Sequence, residues 1–178
     1  WLQDDYVKFL RFAQWKIHKA GRGIVGMITN HSYLNNPTFR GMRQSLMNTF
    51  NEIYIIDLHG NSLKKEKSPD GSKDENVFDI RQGVAIGIFV KQENKKGCKV
   101  YHKDLWGLRE EKYNWLKNND FNVKDYVELE PATPWYFFNP RNVKDLAYYL
   151  DWMKVNEIFP INVTGIVTAR DSFAIDFD

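Results

Sequence analysis

Two short, almost uninterrupted apolar runs, "GIVGMITN" (23–30) and "EIYIIDL" (52–58), constrain this chain most. Between them, Phe39, Met42, Leu46 and Phe50 recur every three or four residues, so 37–50 is an amphipathic helix. Asn36 and Pro37 stand where a cap and a first helical residue belong. Strand, helix and strand with short links make a βαβ unit, which predicts two parallel strands with a right-handed crossover. The first run lacks polar alternation, which predicts a strand covered on both faces.

The flanking segments extend this unit. Residues 4–20 read as a helix that Asp4 or Asp5 can cap, with Tyr6, Phe9, Leu10, Ala13 and Ile17 as its apolar stripe and Gly21 and Gly23 as its stop. Residues 60–75, "GNSLKKEKSPDGSKDE", form a polar loop whose four lysines and four acids cancel. A returning strand at 83–91, the turn "ENKKG" and a strand at 98–103 predict an antiparallel edge hairpin. The fold class is therefore α/β, an open sheet with a parallel βαβ unit and an antiparallel edge hairpin. A mixed helical connector follows, with helices at 108–118 (Leu108, Trp115, Leu116) and 142–154 (Leu146, Tyr149, Leu150, Met153) around extended pieces broken by Pro131 and Pro134. A new unit is expected near Pro160.

Composition excludes several functions. With 43% hydrophobic and 15% aromatic residues the chain is globular, and 178 residues suffice for one real core. A net charge of +2 means that any nucleic-acid footprint must be local. The single cysteine, Cys98, rules out a disulfide and a cysteine zinc site, and one thiol fits a reducing, cytoplasmic setting. No apolar run is long enough to span a bilayer. The chain opens "WLQDDYVKF" without Met and ends "SFAIDFD", a strand pattern, so it reads as a segment of a longer protein.

The chemical candidates are few. "AGRGIVG" has phosphate-loop glycines, but they precede a strand, so they read as a helix stop. His18, His31, His59 and His102 have no metal-ligand spacing, so no metal is expected. The "NVT" at 162–164 is a chance glycosylation triplet. His31 and His59 each follow a strand of the parallel pair, at the carboxyl edge where open α/β sheets bind ligands. Each is either a loop histidine bonded to backbone or part of a site, and Asp57 either caps a loop or lines a cleft. The lysines of the polar loop read as a solvated face, their interleaved acids arguing against a strong phosphate role. Phe78, in "NVFDIRQGVAIGIFVK" (76–91), falls at the same edge, as a core residue beginning a strand or an aromatic held for a ligand.

Three segments, "GIVGMITNHSYL", "FRGMRQSLMNTFNEIYIIDLHGN" and "NVFDIRQGVAIGIFVK", resemble in order and spacing the last motifs of gamma-order adenine-N6 DNA methyltransferases. The wording is closest to the modification part of type ISP and related type IIG restriction–modification enzymes. The resemblance covers about residues 1–104 and implies the C-terminal half of a Rossmann-like methyltransferase core. Residues 105–160 would then be the connector and 161–178 the start of a target recognition domain. It implies S-adenosylmethionine as cofactor, double-stranded DNA as partner, base flipping, and methyl transfer to N6 of adenine in a restriction–modification system. Phe78 would stack on the flipped base, and Asn30 and His31 would line its pocket. The catalytic Asn/Asp-Pro-Pro-Tyr/Phe tetrapeptide and the glycine-rich cofactor loop of that family are absent, since Asn36-Pro37-Thr38 and Asn139-Pro140-Arg141 do not match. This segment alone is therefore expected to hold no catalytic residue and to be inactive. The alternative is a noncatalytic DNA-binding or assembly module that keeps the fold. A sheet edge left open where the missing strands belong would suit a homodimer.

Overall fold

The computed structural model describes residues 2–142 and 146–161, which form two compact units divided between Pro140 and Arg141. The first unit is a mixed α/β fold whose five-stranded sheet includes a parallel pair, as in a partial Rossmann-like fold. Its strands are β1 (Gly23–Asn30), β2 (Glu52–His59), β3 (Val84–Lys91), β4 (Lys99–Asp104) and β5 (Val127–Leu129), in the spatial order β1-β3-β2-β4-β5.

That order corrects two expectations. β1 and β2 run in the same direction, but they do not pair, because β3 lies between them antiparallel to both. The parallel neighbours are β2 and β4. Nor do β3 and β4 form an edge hairpin, since β2 separates them. Asn51 explains the crossing. Its backbone N–H donates to Val90 and its carbonyl accepts from Lys99, while its side chain binds Lys95, Gly97 and Gln92. The link from β3 is thereby carried around the start of β2, and β4 is delivered to the far side. The apolar β3 gains backbone partners on both edges.

Two helices cover one face of the sheet. In α1 (Asp5–Ala20), Leu10 is buried, with Tyr6, Ala13 and Ile17 packed around the core. Asp4 sits at the cap position, but its side chain makes no capping bond. Phe9 departs from the expected stripe and is exposed, beside Phe12 and Trp15. Gln14 is buried instead, and its amide donates to Ser45 and Thr49 of α2 (Arg40–Thr49). A 3-10 turn at Pro37–Phe39 leads into α2, with the Asn36 side chain accepting from Thr38 N–H. Phe39, Leu46 and Phe50 enter the core as expected. A smaller cluster on the other side of β2 and β3 contains Ile56, Leu58, Val77 and Val84, with Trp115 and Leu116 of α3 (Arg109–Asn118) packed on it.

β1 is not covered on both faces. Val25 and Thr29 are buried, whereas Ile24 and Ile28 are 68% and 55% exposed. Residues 105–140 are tied to the sheet by α3, by β5 pairing with β4, and by Phe138, which is buried in the main core. Of the expected helix at 142–154, the described residues show α4 (Leu146–Leu150), followed by α5 (Val155–Ile158), and Tyr149, Leu150 and Met153 are exposed. The expected start of a recognition domain lies almost wholly outside the described residues.

Candidate site at the carboxyl edge of the sheet

Four strand ends meet at one edge: the last residues of β1, β2 and β4 and the first of β3, with Val84 opposite both Asn30 and His59. Asn30 ends β1 and turns its side chain onto Ser32 N–H (2.8 Å), which fixes the following 3-10 turn. His31 is buried. Its backbone N–H donates to Gly83, and Asn61 Nδ2 donates to its Nε2 (3.1 Å), leaving Nδ1 to donate to Asp57 Oδ1 (2.9 Å). Its ring lies where a Cβ on residue 83 would stand, so Gly83 is the residue this approach allows.

β2 is irregular at its end, with a register shift between Asp57 and His59 and a positive φ of 53° at His59. Such a bulge re-aims side chains. Asp57 Oδ1 caps it by accepting from His59 N–H (3.0 Å). The imidazole of His59 then reaches Asp104 Oδ1 through Nε2 (2.8 Å), faces Glu66 Oε1 through Nδ1 (3.4 Å), and stacks on Trp106 with 3.3 Å between centroids. The two ring nitrogens of His102 lie 3.0 Å from Asp104 Oδ1 and 2.8 Å from the Phe138 carbonyl. Burial works against charge on His59, but the Asp104 and Glu66 carboxylates and nearby Asp57 outweigh it and hold its pKa up at about 9. Burial also opposes ionisation of Asp104, yet the two imidazoles pull its carboxyl well below the usual range.

This chain of imidazoles and carboxylates is internally satisfied. The donor atoms of His31, Asp57 and His59 lie within 4.8 Å of one another, so these are the residues that could hold a metal ion among those described. Here their atoms are engaged in hydrogen bonds. The sequence spacing concealed the cluster because its members come from two strands, the turn after β1 and the polar loop. Asp57 thus serves as a cap and a network member, and His31 bonds to a carboxylate as well as to backbone.

Phe78 has a different setting. It lies outside β3 in the bend before it and is 43% exposed, while its neighbour Val77 is buried. The bend is held from several sides. Asn76 Oδ1 accepts from Phe78 N–H (2.9 Å), and Asn76 Nδ2 donates to Gly60 and Gln82 carbonyls. Arg109 donates to the Phe78 carbonyl (3.1 Å) and pairs with Asp79 (2.7 Å), and Tyr113 donates to the Val77 carbonyl. Gly60, at φ 78°, lets Asn76 approach its backbone. Beneath, Lys112 Nζ is buried with Asp74 Oδ1 (2.6 Å) and the carbonyls of Leu58 and Glu75. Asp74 in turn accepts from Gly60 and Gly107 N–H groups.

Over the polar loop opens a cavity of about 430 Å³, lined by Gly60, Asn61, Lys65, Lys67, Asn76 and Ile80 among others, with Phe78 outside the lining. Asn30 and His31 are not in its lining. The three residues singled out from the sequence therefore share an edge, but only Phe78 offers an exposed aromatic face.

No protein-family model and no curated protein matches the chain. Solved structures do. A DrdV–DNA complex matches with 30% identity and a TM-score of 0.62 over 74% of this chain and 13% of that one. The ATP-dependent type ISP restriction–modification enzyme LlaBIII bound to DNA matches with 27% identity and a TM-score of 0.67, over 82% and 10%. A nuclease-deletion mutant of the type ISP enzyme LlaGI, in complex with a DNA substrate mimic, gives 25% and 0.66, over 82% and 12%. The chain spans about a tenth of the length of these proteins. No helix among the described residues is long and apolar enough to cross a membrane. By fold and by sequence, the chain is similar to one segment of the DNA-bound type ISP restriction–modification enzymes LlaBIII and LlaGI.

Proposed function

We propose that this chain is the base-holding part of a site-specific DNA methyltransferase in a cytoplasmic restriction–modification system, one that methylates N6 of a flipped adenine in double-stranded DNA. The observation that carries the reading is Phe78, exposed on a braced bend at the ligand edge of a sheet similar to that of DNA-bound restriction–modification enzymes. The chemistry needs such a residue. The lone pair of the adenine amino group is delocalised into the ring, so the base must be held out of the helix and fixed while N6 reacts. Stacking on an aromatic face supplies that grip.

S-adenosylmethionine is the methyl donor this reading implies. Gly21 and Gly23 precede a strand, whereas a cofactor loop joins a strand to a helix, so these two glycines are not that loop. Asn30 and His31 act behind Phe78, shaping the edge from within. The outer edge of β1, unpaired among the described residues, is the surface through which two copies would join.

The test is Phe78→Ala in the full-length protein that carries this chain. Loss of stacking worth ~1–3 kcal/mol lowers methylation roughly 5- to 150-fold and quenches the 2-aminopurine signal of the flipped base, while Phe78→Trp retains both. Unchanged methylation and flipping in the alanine variant would remove the stacking role. A parent protein with no methyl transfer at all would favour the noncatalytic module.

A further inference from the structure

The polar loop after β2 has a net charge of zero in sequence, but the fold gives it two electrically different sides. Three of its four acids are used. Asp74 is fully buried against Lys112. Glu66 accepts from Asn61 N–H (2.9 Å) and faces His59. Glu75 pairs with Lys73 (2.6 Å) and accepts from Arg109 N–H. What remains at the surface is Lys64, Lys65 and Lys67 against Asp70, whose carboxylate is turned to Ser72 N–H (2.9 Å). Among the described residues none of these three lysines has an acid within ion-pair distance. Lys65 and Lys67 line the cavity that Asn76 and Ile80, on either side of Phe78 in sequence, also line.

We propose that Lys64, Lys65 and Lys67 form a seat for the DNA backbone, holding the phosphates that flank the base at Phe78. The proposal rests on the DNA-methylating reading above and adds to it the residues that grip the strand. A nucleotide stacked on Phe78 carries its phosphates within a nucleotide's length of the ring, and Lys65 and Lys67 share a cavity wall with Asn76 and Ile80, each two residues from Phe78. The loop can hold them steady because its inner side is fixed. Asn61 caps a 3-10 turn at Ser62–Lys64, Lys67 and Lys73 bridge through their backbones, and Lys112 pins Asp74. Phosphate contacts of this kind position DNA and carry no sequence information.

The experiment compares the full-length protein with its Lys64→Gln/Lys65→Gln/Lys67→Gln variant, using a duplex that contains its methylation site and one that does not. Binding is measured from low to physiological salt. Each lost phosphate contact removes about 0.9 from the slope of log affinity against log salt, so the variant's slope falls by about 2 to 3 on both duplexes. The circular-dichroism spectrum and the urea midpoint of the variant stay at wild-type values, so the lost slope is not a loss of fold. Lys96→Gln, at the opposite end of the sheet, leaves the slope unchanged. An unaltered slope in the triple variant, with wild-type methylation intact, overturns the phosphate seat alone. A wild-type protein that neither binds nor methylates duplex DNA overturns the seat and the proposed function together.

Discussion

Lys112 sits on a helix with an unremarkable polar sequence, "REEKYNWLKN", yet its side chain is fully buried. Its ammonium group makes three short bonds, one of them to a carbonyl 54 residues earlier. Removing one member of such a pair strands the other charge, so Lys112→Met should cost about 3–5 kcal/mol in urea unfolding. Adding Asp74→Leu should not restore the loss, because Gly60 and Gly107 N–H would then lack their acceptor. Arg43 is comparable, buried in α2 with its guanidinium on the carbonyls of Tyr33, Asn36 and Trp135. Neither burial was legible in the sequence, since a helical pattern shows which face is apolar and nothing about distant carbonyls that call for a cation. Phe78 was legible in position, because the direction of the strands on either side of the loop puts it at the carboxyl edge. Its exposure was not, since "VF" before an apolar strand offers two candidates for the core and the structure buries only Val77.

At the scale of elements, the imidazole–carboxylate chain joins the ends of β1, β2 and β4 to the polar loop. Its strength depends on pH with a definite sign. The pKa of His59 is raised from 6.5 to about 9, so its contribution is complete below about 6.5 and disappears as pH rises through about 9. Asp104 is depressed, so its share is present above its ordinary 3.8 and is lost as pH falls further. Unfolding free energy should therefore decline between pH 6.5 and 9.5 by roughly 3 kcal/mol at most. Urea titrations across that range check it, and His59→Gln should flatten the slope. β1, β2 and β3 were legible from their apolar runs, and so was the sense of β1 relative to β2. Their neighbours were not. A seven-residue link after β3 looks like a hairpin until Asn51, the residue before β2, is seen to hold it open. The even hydrophobicity of β1 likewise says nothing about whether a second layer reaches it, and here Ile24 and Ile28 stay exposed.

At the scale of the molecule, the outer edge of β1, unpaired among the described residues, and these two isoleucines make a template on which another strand can add. The chain on its own should self-associate, and Ile24→Lys with Ile28→Lys should return a monomeric mass in light scattering; a monomeric parent chain would remove the dimer. The place of β3 also dictates a sequence in time. β1 and β2 leave the ribosome first, but the strand that joins them is made last of the three, so the middle of the sheet cannot close until residue 91 is out. Until then two apolar ribbons wait for the same partner. When it arrives the sheet locks, but the bend that presents Phe78 is finished later still, once Arg109 and Tyr113 of α3 have been made to brace it.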